Sequence, residues 1–180
     1  MKSGKLVLGA AIGDCVHVAG VLNVLRLAEE AGYRTAFLGP AVPPTDLAGA
    51  VAEMRPDLVA LSYRLSPEAG RRVIEEVKKE LARLGPLPVQ FVFGGTPPVC
   101  REAEKTGLFE ACFDGTAGPE AVLAYLRGET AGVGAVNYPQ DLESRIRWKK
   151  PYPLLRHHFG LPDLEETRRA TQRLTGLGIV

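Results

Sequence analysis

Residues 5–20 read KLVLGAAIGDCVHVAG, and this stretch decides the fold. Leu6 to Ile12 is an unbroken apolar run of strand length, closed by Gly13. An apolar run without polar alternation suits a strand covered on both faces, as in a parallel sheet flanked by helices. A helical stretch follows from about His17 to Ala31. It sets Val21, Leu22, Val24, Leu25, Leu27 and Ala28 on a broad apolar face, and Gly32 ends it.

The same unit recurs downstream. Short apolar runs over Arg34 to Leu38, Leu58 to Leu61, Val89 to Phe93 and Phe109 to Phe113 read as four more strands. Between and after them, helices are expected from Thr45 or Asp46 to Met54, from Ser66-Pro67 to Leu84, from Pro97 or Pro98 to Thr106, and from Gly118-Pro119 to Arg127. Twenty glycines and 14 prolines suit a chain with many tight connections between short elements. Five strand–helix units predict an α/β fold over residues 1–128: a flavodoxin-like, Rossmann-type doubly wound parallel sheet of five strands in the order 2-1-3-4-5.

After Gly128 the rhythm breaks. Residues 129–180 read as a C-terminal extension: a small, polar linker to about 142, then a basic and partly helical tail. Residues 145–158, RIRWKKPYPLLRHH, hold five Lys or Arg and no acid. Three readings stay open for this tail. It is an arm on its own domain or on a second copy (a homo-oligomer), a docking segment, or the opening of a further domain.

Composition narrows the function. A net charge of +1 argues against general attraction to nucleic acid or to an anionic membrane. No apolar run approaches the ~20 residues needed to span a bilayer. Three cysteines, Cys15, Cys100 and Cys112, make no disulfide framework, so a cytoplasmic chain is expected.

Ligands of open parallel sheets bind beyond the carboxyl ends of the strands, at the point where strand order reverses. The loops to weigh therefore begin at Gly13-Asp14-Cys15-Val16-His17, at Ser62-Tyr63-Arg64 and at Gly94-Gly95-Thr96. His17 offers a metal-binding imidazole, Ser62 a hydroxyl at a strand end, and Gly94-Gly95 a place where something bulky can approach the backbone. A lone loop histidine is more often a polar cap, a strand-end serine more often solvated, and a glycine pair as often a plain turn. Other sites fit less well. A zinc site lacks a second close pair beside Cys15 and His17, a receiver domain lacks clustered acids, and GDCVHVAG has no hydroxyl for a flavin phosphate. The G-x-G-x-x-G spacing of a dinucleotide site is missing.

Taken in order, H-x-x-G after the first strand (His17, Gly20), a serine closing the third (Ser62) and Gly-Gly after the fourth (Gly94, Gly95) resemble the cobalamin-binding domain family. Its signature is D-x-H-x-x-G, S-x-L and G-G on a flavodoxin-like domain. The resemblance covers about residues 4–128. It implies that the nucleotide tail of the cofactor is displaced into the domain and that His17 takes the place of its base on cobalt. Ser62 would then bond the buried base, and Gly94 and Gly95 would let the base lie against the backbone. Asp14, Cys15, Gly20, Arg64 and Thr96 complete the expected cofactor-binding set.

Two positions depart from the signature. Cys15 stands where the family has aspartate, so either Asp14 reaches the far nitrogen of His17 or that hydrogen bond is absent. Arg64 replaces the leucine, although Leu65 follows. The resemblance also implies a non-catalytic cofactor carrier that works with a (β/α)8-barrel subunit or domain. Because the first strand starts near Leu6, with no room for a helical cap before it, an adenosylcobalamin-dependent mutase is expected over a methylcobalamin carrier. A corrinoid or small-molecule sensor, or a flavin or phosphosugar enzyme, are the rival functions.

Overall fold

The computed structural model describes residues 4–116 and 118–129. They form β1 (Leu6–Ile12), α1 (Ala19–Glu30), β2 (Arg34–Val42), α2 (Pro44–Met54), β3 (Leu58–Tyr63), α3 (Pro67–Ala82), β4 (Gln90–Gly95), α4 (Pro97–Lys105), β5 (Ala111–Phe113) and α5 (Pro119–Arg127). The sheet is parallel throughout, in the order β2-β1-β3-β4-β5. The predicted fold class and strand order are those observed. The linker and tail expected over residues 129–180 lie outside the described residues, apart from Glu129.

The central strands β1 and β3 are buried at every position, as their unbroken apolar runs require. Alternate residues feed two cores. Leu8, Ala10, Ile12, Val59, Leu61, Tyr63, Phe91 and Phe93 pack with helices α2, α3 and α4. Val7, Leu58, Ala60 and Val92 pack with α1 and α5. Gly9 makes the second packing possible, because a Cβ there would sit 2.8 Å from Leu25 Cδ1 on α1.

Several element ends differ from the sequence expectation, each for a physical reason. β2 continues past Leu38 to Val42 through a bulge, with Gly39 at φ +122° and Ala41 at φ +52°. It is an edge strand, so Pro40 costs it no ladder hydrogen bond. β3 and β4 run two residues further, to Tyr63 and Gly95, because their pairing continues through Ser62↔Gly94 and Tyr63↔Gly95. β5 begins at Ala111 rather than Phe109. Neither Thr45 nor Asp46 caps α2, which follows Pro43 with Pro44 in its first turn. Ser66 does cap α3, its Oγ accepting from Ala69 N–H at 3.1 Å. Four of the five helices carry proline in the first turn, which accounts for five of the 14 prolines.

The α2/α3/α4 core holds groups that must stay neutral. Burial pushes the Cys100 and Cys112 thiols from 9.0 up to about 12. Their folded pKa lies above the unfolded one, so they add stability that is complete below about pH 9 and is lost as the pH rises toward 12. The urea midpoint is therefore expected to fall steeply above about pH 9, and Cys100→Ala should flatten that fall. A midpoint independent of pH across this range would contradict the assignment.

Candidate functional site

The order of strands reverses between β1 and β3, and the loops following these parallel strands meet at their carboxyl end. The loop after β1 is tied down by backbone bonds. Gly13 turns the chain at φ +66°, its N–H donating to Val42 O at 2.9 Å. Cys15 N–H donates to Ile12 O at 3.2 Å, and Ala41 N–H donates to Cys15 O at 2.9 Å. The bulged end of β2 thus holds the segment that presents His17.

Side chains on this loop divide between inside and outside. Cys15 is fully buried, whereas Asp14, Val16 and His17 are exposed. The Cys15 sulfur lies 3.8 Å from His17 Nδ1. Asp14 does not bond His17. Its Oδ1 instead accepts from the buried Tyr63 hydroxyl at 2.9 Å. Desolvation, reinforced by the Asp14 carboxylate, pushes the Tyr63 phenol from 10.0 up to about 12, so the hydroxyl remains a donor. Nothing in the sequence spacing pointed to Tyr63, which lies 49 residues from its partner.

Below the loop, the α1/α5 face of the sheet carries a row of small residues in register. Ala11 pairs with Ser62, Ser62 with Gly94, and Gly94 with Phe113. Phe113 closes the row, its ring edge-on to Tyr125 of α5 at 5.8 Å. Ser62 is buried, and its Oγ has no hydrogen-bond partner among the described residues. An orphaned buried hydroxyl costs about 1–3 kcal/mol, so its presence points to a partner outside the described residues. Ala11 and Phe113 were absent from the sequence-based set. Counting by twos puts Ala11 on the face of Val7 and Phe113 on the face of Ala111, but their level with Ser62 and Gly94 comes only from the register.

The two glycines differ. A Cβ on Gly94 would have only Phe113 O at 3.8 Å and Leu61 O at 4.0 Å for neighbours, which is ordinary contact. A Cβ on Gly95 would lie 2.8 Å from Tyr63 O and 3.0 Å from Phe93 Cε1. Gly95 therefore serves the fold, while Gly94 leaves space that the described residues do not fill.

The remaining sequence candidates stand at the rim. Gly20, in the first turn of α1, is exposed, with open space where a Cβ would be. Arg64 is exposed and forms no salt bridge among the described residues. Thr96 is half-buried and precedes α4 without capping it through its side chain. Val16 and Leu65, 63% and 41% exposed, add apolar surface beside His17 and Arg64. Among the described residues no three His, Cys, Asp or Glu side chains gather to hold a metal ion. No described helix is long and apolar enough to cross a membrane.

The sequence profile of the B12 binding domain matches residues 5–126. The chain belongs to the B12-binding domain family. No curated protein matches the chain. Solved structures give the fold alone. A cobalamin-binding protein from Desulfitobacterium hafniense DCB-2 is 22% identical with a TM-score of 0.53, over 69% of this chain and 59% of that one. The methanol:cobalamin methyltransferase complex MtaBC from Methanosarcina barkeri gives 21% and 0.54, over 82% of this chain and 52% of that one. The monomethylamine corrinoid protein of Methanosarcina barkeri gives 18% and 0.51, over 71% and 58%. The B12-binding chain thus spans between half and three fifths of the length of these proteins.

The residues present suit a bound B12. The Ser62 hydroxyl, unpartnered among the described residues, the space at Gly94 and an exposed imidazole at the carboxyl end of the sheet would give the cofactor a hydrogen-bonding group, room against the backbone and a nitrogen ligand. A single protein ligand is enough, because the corrin ring supplies the other nitrogens.

Proposed function

We propose that the chain is the cobalamin-carrying component of a corrinoid-dependent enzyme, holding the cofactor with its nucleotide base on the Ala11–Ser62–Gly94 row and His17 on cobalt. The observation that carries this reading is the buried Ser62 Oγ, unpartnered among the described residues, on a row of small residues. Ser62 gives the base its hydrogen bond. Gly94 leaves it room. His17 brings an imidazole to the carboxyl end of the sheet, and Val16 and Leu65 offer the macrocycle an apolar rim. When bound, the cofactor supplies a labile cobalt–carbon bond, and the substrate site belongs to a partner.

Ser62→Ala tests the carrying observation. Removing an unpartnered hydroxyl is expected to leave the ligand-free protein at least as stable, by as much as about 1 kcal/mol. Cobalamin affinity should fall about tenfold, while affinity for cobinamide, which lacks the nucleotide, should not change. Equal losses for the two ligands, read from the visible spectrum on titration, would remove the base from this row.

In finer detail, the proposed carrier serves an adenosylcobalamin-dependent mutase and docks onto a (β/α)8 barrel, with residues 129–180 as its connection. A second reading, methyl carriage, is motivated by the methyltransferase and corrinoid proteins among the similar structures. Loading with adenosylcobalamin and adding barrel and substrate should give a paramagnetic signal on the mutase reading. Stoichiometric methyl uptake from a methyl donor, with no such signal, would select the second.

A further inference from the structure

The position that departs from the family signature is the one in contact with the imidazole. Cys15 is fully buried by the α2/α3/α4 core, so its sulfur is held in place. It lies 3.8 Å from His17 Nδ1 and is, among the described residues, the hydrogen-bonding neighbour of that ring. The nearest carboxylate in sequence, Asp14, is engaged by Tyr63. His17 itself is exposed, so without such a neighbour the ring would have little to fix its orientation.

We infer that the Cys15 thiol is the positioning residue for His17, and that it admits both tautomers of the ring where a carboxylate would admit one. This rests on the reading of His17 as cobalt ligand. A carboxylate only accepts, so it holds the proton on Nδ1 and leaves Nε2 free to bind metal. A thiol is both a weak donor and a weak acceptor. With Nδ1–H donating to Sγ, Nε2 carries a free lone pair. With S–H donating to Nδ1, Nε2 carries the proton and cannot coordinate. Passing from the second arrangement to the first takes a proton from Nε2 to solvent and one from solvent to Nδ1, while the S–H rotates away. Neither residue changes charge. Ligation at His17 is accordingly weaker than a carboxylate would make it, and more easily reversed.

The test uses the protein without and then with cofactor. Nitrogen-15 shifts of the neutral imidazole in the ligand-free protein are expected to show both tautomers in the native chain. Cys15→Asp should move the ring to the Nδ1–H form, and Cys15→Ala toward the Nε2–H form favoured in free solution. In protein loaded with cob(II)alamin, Cys15→Ala should lower the ratio of His-coordinated to uncoordinated cobalt about tenfold, the lower end for loss of an outer partner, and Cys15→Asp should raise it. Cobinamide binding checks that each variant is folded. Should Cys15→Asp not fold, Cys15→Ala decides alone. An unchanged tautomer ratio in folded Cys15→Ala, with an unchanged coordinated fraction, would overturn the inference. Absence of nitrogen coupling in the native chain would instead overturn the reading of His17 as the ligand, whatever the tautomers show.

Discussion

Gly94→Val is expected to fold normally and to lose cobalamin by about 100-fold, whereas Gly95→Val is expected to lose about 3 kcal/mol of stability. The two residues are adjacent and identical, yet they lie on opposite faces of β4. The valine Cβ at position 95 would stand 2.8 Å from the Tyr63 carbonyl oxygen, a backbone atom of the neighbouring strand that cannot swing aside. Opening that pair would break the β3–β4 ladder at its carboxyl end, where Tyr63↔Gly95 is the last rung. At position 94 the Cβ meets nothing closer than 3.8 Å, and the branches project over Ser62's side of the sheet. There they occupy the place assigned to the nucleotide base. Expelling a flat base forfeits its apolar burial and its bond to Ser62, together ~2–3 kcal/mol, hence the ~100-fold figure. Cobinamide affinity should be preserved in Gly94→Val. If Gly94→Val lost both ligands equally, or if Gly95→Val were as stable as the native protein, the division of roles would be wrong.

His17→Ala should separate holding the cofactor from coordinating it. The ring is exposed and packs into neither core, so its removal should leave stability within ~0.5 kcal/mol of the native value. Coordination should vanish, because Asp14 is occupied by Tyr63 and Cys15 is buried behind the loop. Cobalamin should nevertheless remain bound through its base, with the visible spectrum of a cobalt lacking a lower nitrogen ligand. A spectrum identical to that of the native complex would show that His17 is not the ligand.

The sequence made the sheet legible because β1 and β3 have to be apolar on both faces, and few other structures tolerate LVLGAAI and LVALSY in the middle of a chain. The Ser66-Pro67 start of α3 was equally open to reading, since a hydroxyl cap followed by proline is a local signal. The start of α2 was not. Thr45 and Asp46 are good caps in isolation, but Pro43-Pro44 sets the backbone first. For the site, His17, Ser62 and Gly94 could be named only together, in their order after three strands, through the resemblance to the family signature. Their separate duties could not, because duty depends on neighbours brought in by the fold. A Cβ at Gly95 would meet Tyr63 O at 2.8 Å, whereas one at Gly94 would meet nothing closer than 3.8 Å, a difference that two adjacent glycines do not show in sequence. Likewise Asp14 stands beside His17 in sequence but is claimed by Tyr63, a residue whose reach across the end of the sheet follows only from the β1–β3 register.

The most direct measurement is the electron paramagnetic resonance spectrum of cob(II)alamin of natural isotopic composition bound to uniformly nitrogen-15-labelled protein. Nitrogen-14 splits each cobalt line into three, and nitrogen-15 splits it into two. If the nucleotide base has left cobalt for the Ala11–Ser62–Gly94 row and His17 has replaced it, each line should be a doublet. A triplet would mean that the cofactor's own base still sits on cobalt, and would contradict the account.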